Sequence, residues 1–346
     1  MQASTCSETA PVSVIKLIDQ FIEDQRIACQ WENSTVKMMR VFQHHVAAFG
    51  KASNLSYFDA DGIDNFVHYL RSTAMLQEVT VRKNYKNLIW FLNWAERKGL
   101  YNYNLQLRNK QKFKIVQKPV IFLKREELMK VYHFQIPPTG TLVGLTDMSG
   151  KSYIKRVQDA PALERARDLF CFCAFTSLRY SDMAKLCRTD IDHDYIYVTT
   201  QKTHDRLPID LNSYARAILD KYACKKFKGN RALPVMTNQR LNVCLKQLCE
   251  LCGMNDPVRI VKYCNGERME EVFPKWKKIS SHCARKTFIC YALSIGIPPV
   301  LVMKWTGHSD YKSMKPYIDI ASEEKTTAMR LFDKSLESDL MRTGSV

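Results

Sequence analysis

The 346-residue sequence holds no run of about 18 uninterrupted apolar residues, which excludes a conventional membrane-spanning helix. Its start, Met1-Gln2-Ala3-Ser4-Thr5, lacks the charged and apolar regions of a secretion signal, so an intracellular, cytoplasmic protein with no membrane partner is expected. No extended low-complexity tract argues for disorder. No acidic cluster suits magnesium. Cys249-x-x-Cys252 has neither a second CxxC nor a His-x-x-x-His pair to complete a zinc site, and Leu245, Leu248 and Leu251 around it read as core. Neither a metal nor a cofactor is therefore expected. The twelve cysteines are irregularly spaced, many inside apolar helical patterns such as Cys171-Phe172-Cys173-Ala174-Phe175, which fits buried, reduced thiols. Acidic residues are also short, 35 against 52 Lys and Arg, giving a net charge of +17 and a pI near 9.3. A neutral small-molecule substrate does not require such a balance, and a polyanion does, so nucleic acid is the leading partner. Residues 1–118 carry about +6 and the remainder about +11, a spread that suits two basic lobes.

The length exceeds what one hydrophobic core serves and points to two domains. Helical periodicity runs from Pro11 to about Tyr103, starting with Val14, Ile15, Leu17, Ile18, Phe21 and Ile22, then over Ser34–Phe49, Asp61–Ser72 and Thr80–Lys98. This predicts a helical domain over 11–104. On its last helix Tyr85, Leu88, Ile89 and Leu92 form an inward stripe, leaving Arg82, Lys83 and Lys86 for solvent or phosphate. Residues 105–121 read as a basic interdomain linker whose Arg108, Lys110, Lys112, Lys114 and Lys118 suit a passage along phosphates. A second domain is expected over 122–320, with helices at Phe122–Phe134 and Leu163–Leu186 and a loop or mobile insertion over Pro137–Asp159. A hairpin follows from Tyr195–Thr200 and Leu207–Leu211, then helices at Asn212–Ala223, Gln239–Cys252, Ser281–Ser294 and Pro298–Trp305, and a second hairpin across Arg259–Phe273. A C-terminal helix or tail over 321–346 carries the apolar face Ala328, Met329, Leu331, Phe332 and Leu336. The fold class is thus mainly α with a small antiparallel β-sheet, α+β overall.

The chemistry-bearing residues are ordered along the second domain. Thr176-Ser177-Leu178-Arg179-Tyr180-Ser181-Asp182 ends a buried helix with an arginine that packing does not need. Ser280-Ser281-His282-Cys283-Ala284-Arg285 puts His282 and Arg285 on one helix face, capped by Ser280 or Ser281. Thr306-Gly307-His308 comes 23 residues after Arg285, and Tyr317 nine after His308. In order and spacing this set resembles the tyrosine recombinases, or phage integrases, whose signature is an arginine followed three residues later by an acid, a hairpin lysine, His-x-x-Arg, Gly-His and a C-terminal tyrosine. The likeness runs roughly from Val14 to Leu336 and is strongest from Phe175 to Tyr317. It departs at Ser177, where a glycine is common, at Asp182, which replaces a glutamate, and at Thr306, where leucine is frequent.

The resemblance implies a C-shaped DNA clamp made of a core-site-binding domain (SAM-like) and a catalytic domain. No arm-site-binding module is seen ahead of the first helix. The implied activity is site-specific DNA recombination of a mobile-element type through a 3′-phosphotyrosine, without metal or ATP. The implied partners are double-stranded recombination sites and further copies of the chain: a monomer or dimer on a single site, a homo-tetramer in the synaptic complex, with the C-terminal helix docked on a neighbouring protomer. A type IB topoisomerase, or a non-catalytic architectural DNA-binding protein of the same fold, is the alternative.

Phosphodiester attack by a phenol builds negative charge on the non-bridging oxygens, which Arg179 and Arg285 would stabilise. Tyr317 is the candidate nucleophile, and its proton, with a reference pKa near 10, would pass to His282. His308 would hold the phosphate or the nucleophile, aimed by Gly307 as a left-handed helix stop. Asp182 would support Arg179 by ion pairing. Lys202, at the first hairpin's turn, would protonate the departing 5′-oxygen, with Lys185 and Lys225 as other basic candidates.

Overall fold

The computed structural model describes residues 13–102, 110–199, 206–308 and 310–321. The chain divides into two compact units, residues 1–118 with 260–271, and residues 119–259 with 272–346.

In the first unit the apolar spacing at Val14, Leu17, Ile18, Phe21 and Ile22 makes one buried stripe of α1 (Val14–Ala28). It packs with α2 (Asn33–Phe49) and α4 (Glu78–Arg97), and α3 (Ala60–Ser72) packs against both of these. Asp59 caps α3 by accepting the Gly62 N–H at 2.8 Å. The core is aromatic: Phe21 meets Trp31, Trp90, Phe91 and Trp94 at ring distances of 5.6–5.8 Å, which adds edge-to-face attraction to burial.

A basic linker was expected over 105–121. Its described residues 110–118 are grouped with this unit, and the Phe113 ring lies tilted against Tyr85 at 5.4 Å while Arg71 lies over the Phe113 ring at 5.4 Å. Arg71 also donates to the Lys112 carbonyl at 2.9 Å, so an apolar anchor between the lysines holds the segment down. Arg108 lies outside the described residues.

The second unit starts its core with α5 (Arg125–His133) and α6 (Ala160–Thr176). The stretch 137–159, expected to be a loop, instead forms a hairpin of β1 (Leu142–Thr146) and β2 (Ser152–Arg156), in register from Leu142 opposite Arg156 to Thr146 opposite Ser152. Local pattern misses it because its strands are short and its apolar residues fall on both faces, Leu142 and Ile154 being 62% and 70% exposed while Val143 and Leu145 pack partly buried against the core. Its anchor lies 97 residues away, where buried Glu250 accepts the Tyr153 hydroxyl at 3.0 Å and pairs with Lys155 at 2.8 Å. A single helix over Leu163–Leu186 was also expected. It breaks at Ser177, which is left-handed (φ 62), before the one-turn α7 (Tyr180–Met183).

Next come β3 (Tyr195–Thr199) and β4 (Arg206–Asp210), paired antiparallel with Tyr195 opposite Asp210, then α8 (Ser213–Lys221) and α9 (Asn238–Leu251). Buried Asp168 ties α6 to α8 by accepting from Lys221 at 2.5 Å and Tyr222 at 2.7 Å. β5 (Pro257–Cys264) and β6 (Glu267–Pro274) turn at Asn265-Gly266, both at positive φ, the dipeptide that a two-residue hairpin turn demands. The outer part of that hairpin, Ile260–Glu271, is grouped with the first unit. The chain closes with α10 (Lys275–Lys278), α11 (Ser281–Ser294), α12 (Pro299–Thr306) and α13 (Lys315–Ala321). The fold is mainly α with small antiparallel sheets, two-stranded in each case among the described residues. No helix of the described residues is long and apolar enough to cross a membrane.

Candidate active site

Three breaks in helical structure carry most of the candidate site residues. Beyond Ser177, where α6 stops, Arg179 occupies the N-cap position of α7. Its guanidinium lies 3.8 Å from the Asp182 carboxylate, which is only 2% exposed and also accepts from the Ser181 hydroxyl at 3.3 Å. The pair keeps Arg179 near its place with its head partly open to solvent.

The second element is the start of α11. Ser280 is its N-cap, and α9 completes the cap: the Asn242 amide oxygen accepts the Ser281 N–H at 2.7 Å, and Asn238 accepts the Ser281 hydroxyl at 2.7 Å. His282 therefore sits on a fixed first turn. Partial burial lowers its pKa below the usual 6.5, with the charges of Lys286, Arg285 and Arg179 adding to the effect. The imidazole is then neutral at pH 7, ready to accept a proton.

Arg285, one turn on, is buried at 4% exposure. It donates through Nη1 to the Ser177 carbonyl at 3.0 Å and through Nη2 to the Thr306 carbonyl. Burial first, then Arg179, pull its pKa down to about 10, while Asp182 and Tyr317 push it back up. A guanidinium so placed is still charged at neutrality.

The third element is the end of α12. Gly307, at φ 59 and ψ 43, is the left-handed stop that the Gly-His pair implied. His308 follows, its Nδ1 2.7 Å from the Thr306 hydroxyl and its N–H donated to the Met303 carbonyl at 3.1 Å. From α13, Tyr317 packs half-buried against the apolar cluster of Ile289, Ala292, Val302 and Met314. Burial raises its phenol above the usual range near 10 and Cys290 and Cys283 add to this, whereas Arg285 lowers it. The opposed effects tie Tyr317 electrostatically to the guanidinium 32 positions earlier in the sequence.

Arg179 and Arg285 thus lie within electrostatic reach of His282, Arg285 also within reach of Arg179, Asp182 and Tyr317, and Thr306 links Arg285 to His308. Lys202 lies outside the described residues, as does the C-terminal helix expected beyond 321. Among the described residues no group of three or more His, Cys, Asp and Glu side chains is placed to hold a metal ion. In the first unit Arg82, Lys83, Lys86, Lys110, Lys112 and Lys114 are exposed. The Lys114 ammonium is engaged, donating to the Gly266 carbonyl at 3.3 Å and lying 5.5 Å from the Tyr263 ring.

Sequence reasoning missed the roles of Ser177 and Thr306, although it singled both out as departures from the expected pattern. Their carbonyls hold Arg285. The second unit also contains an apolar cavity of about 450 Å³ lined by Phe175, Tyr214, Phe288, Tyr291, Ile295 and Trp305.

Solved structures similar to this chain include a lambda integrase tetramer bound to a Holliday junction, at 14% identity and TM-score 0.61 over 90% of this chain and 78% of that one. Another is the XerH site-specific recombinase in a post-cleavage complex with palindromic difH substrate, at 13% identity and TM-score 0.58 over 92% and 85%. A third is residues 82–397 of the Tn1549 transposon integrase in complex with circular intermediate DNA, at 13% identity and TM-score 0.55 over 90% and 99%. No family profile matches the sequence, and no curated protein matches it. The chain has the fold of the tyrosine recombinases and integrases.

Proposed function

We propose that the chain is a site-specific DNA recombinase of the tyrosine type, cutting and rejoining strands through a 3′-phosphotyrosine. What supports the reading is that three separated segments of the second unit bring Arg179, His282 and Arg285 within electrostatic reach of one another, with Tyr317 in reach of Arg285. Folding stability gains nothing from two guanidiniums, Arg179 and Arg285, held close enough that one lowers the pKa of the other. A bound phosphate would repay their repulsion.

In this reading Arg179 and Arg285 bind the non-bridging oxygens of the scissile phosphate. The Tyr317 phenol oxygen bonds to phosphorus as its proton passes to His282, and the bond to the 5′-oxygen breaks with a proton from Lys202. The 5′-hydroxyl of a partner strand then attacks the phosphotyrosine, releasing Tyr317 and restoring a diester, so no ATP is consumed. Double-stranded recombination sites are the substrate, and the excess of +17 charges suits their phosphates. The neighbouring structures include dimers on a core site and a tetramer on a Holliday junction, which supports assembly of several copies. The apolar cavity of about 450 Å³ has the right chemistry to accept a C-terminal helix from another protomer.

A nicked suicide substrate tests the reading. Wild type is expected to form a covalent protein–DNA adduct, and Tyr317→Phe to bind the same DNA without one. An adduct undiminished in the variant would assign the nucleophile elsewhere. Adduct formation without strand exchange on paired sites would favour a topoisomerase.

A further inference from the structure

We propose that Thr306 is a positioning residue that sets the tautomer of His308, keeping the ring proton on Nδ1 and the lone pair on Nε2. The catalytic meaning of this rests on the recombinase reading; the tautomer itself does not.

Thr306 is fully buried at the last position of α12. Its hydroxyl lies 2.7 Å from the Val302 carbonyl oxygen and 2.7 Å from His308 Nδ1. A hydroxyl has one proton to give. The carbonyl oxygen has none, so at 2.7 Å the hydroxyl must donate to Val302, since two oxygen lone pairs would otherwise face each other at hydrogen-bond distance. Its second longer contact, 3.3 Å to the Met303 carbonyl, draws on the same proton. The hydroxyl is then left with lone pairs toward His308, and the 2.7 Å contact closes only if Nδ1 carries hydrogen. A neutral ring so protonated presents Nε2 as an acceptor.

The same residue's carbonyl takes Arg285 Nη2. Thr306 thereby joins the position of the buried guanidinium to the proton arrangement of the second histidine, through a left-handed glycine that brings Nδ1 back onto the helix end. Leucine, the residue the motif leads one to expect here, has a carbonyl for Arg285 but no hydroxyl for His308. The consequence for cleavage is that neutral His308 accepts a hydrogen bond at Nε2 and donates to phosphate from that atom only when doubly protonated.

The test joins a spectrum to a rate. Long-range proton–nitrogen correlation spectra of the DNA-free full chain, with the His308 signals identified by their loss in His308→Asn, are expected to show a pyrrole-type Nδ1 and a pyridine-type Nε2. In Thr306→Val the buried Nδ1–H loses its acceptor, and the ring is expected to shift toward the Nε2–H form. Cleavage of the suicide substrate should fall about 10-fold to 100-fold, the scale on which partners that orient a functional histidine act. Thr306→Ser should restore both the spectrum and the rate. A wild-type ring protonated at Nε2, or a Thr306→Val ring still protonated at Nδ1, would overturn the proposal. Wild-type protein that forms no adduct would remove the catalytic half together with the recombinase reading, while the spectra decide the tautomer by themselves.

Discussion

Two backbone carbonyls, of Ser177 and Thr306, decide where the most buried cation of the site points. Only a planar fork satisfies both from one side chain, so Arg285→Lys retains the charge and loses the geometry. Single-turnover cleavage is expected to fall about 100-fold or more in that variant, with DNA affinity in a filter-binding assay nearly unchanged. His282 is under the opposite influence. Its pKa is lowered first by packing and then by Lys286, Arg285 and Arg179, because each neighbouring positive charge disfavours a second proton on the ring. Lys286→Ala removes one of these and is expected to raise the His282 midpoint toward its ordinary value, read by NMR titration of the DNA-free protein. A midpoint that fell or stayed put would contradict the electrostatic account.

At the scale of the element, the precision of the site comes from how helices start and stop. The first turn of α11 carries His282, with Arg285 one turn on, and the Ser281 N–H, which has no partner within the helix, is satisfied by Asn242 from α9. Asn242→Ala is expected to cost about 1 kcal/mol of stability in urea denaturation, as the loss of a helix cap does. Cleavage should slow as well, because the turn that aims His282 frays. α6 ends at Ser177 in a left-handed conformation, a place where glycine would be free of strain. Its hydroxyl donates to the Trp305 carbonyl at 3.0 Å, a bond glycine could not make, so the break in α6 and the end of α12 are tied together.

For the whole molecule, a charge of +17 over two units makes salt the natural probe of DNA binding. The logarithm of affinity is expected to fall linearly with the logarithm of salt concentration, with a slope of about −0.9 per phosphate neutralised. Replacing Arg82, Lys83 and Lys86 by alanine together should flatten that slope by up to about 3, measured by fluorescence anisotropy across a KCl series. An unchanged slope would remove α4 from the interface.

The helices of the first unit, the stop at Gly307 and the order of the reactive residues could all be read from the linear chain. Each is coded within a turn or two of helix, by apolar spacing or by a residue with a special backbone conformation. The β1–β2 hairpin could not, because its pattern is short and its apolar side chains are divided between solvent and core; Glu250, far along the chain, holds it. Nor could the seating of Phe113 on Tyr85, the break at Ser177 or the carbonyls that grip Arg285. Local sequence determined most of the helices and their stops, since helix and turn preferences act between near neighbours. Tertiary structure alone decided which buried polar group meets which, because a buried donor must find an acceptor wherever the fold brings one, however distant it is along the chain.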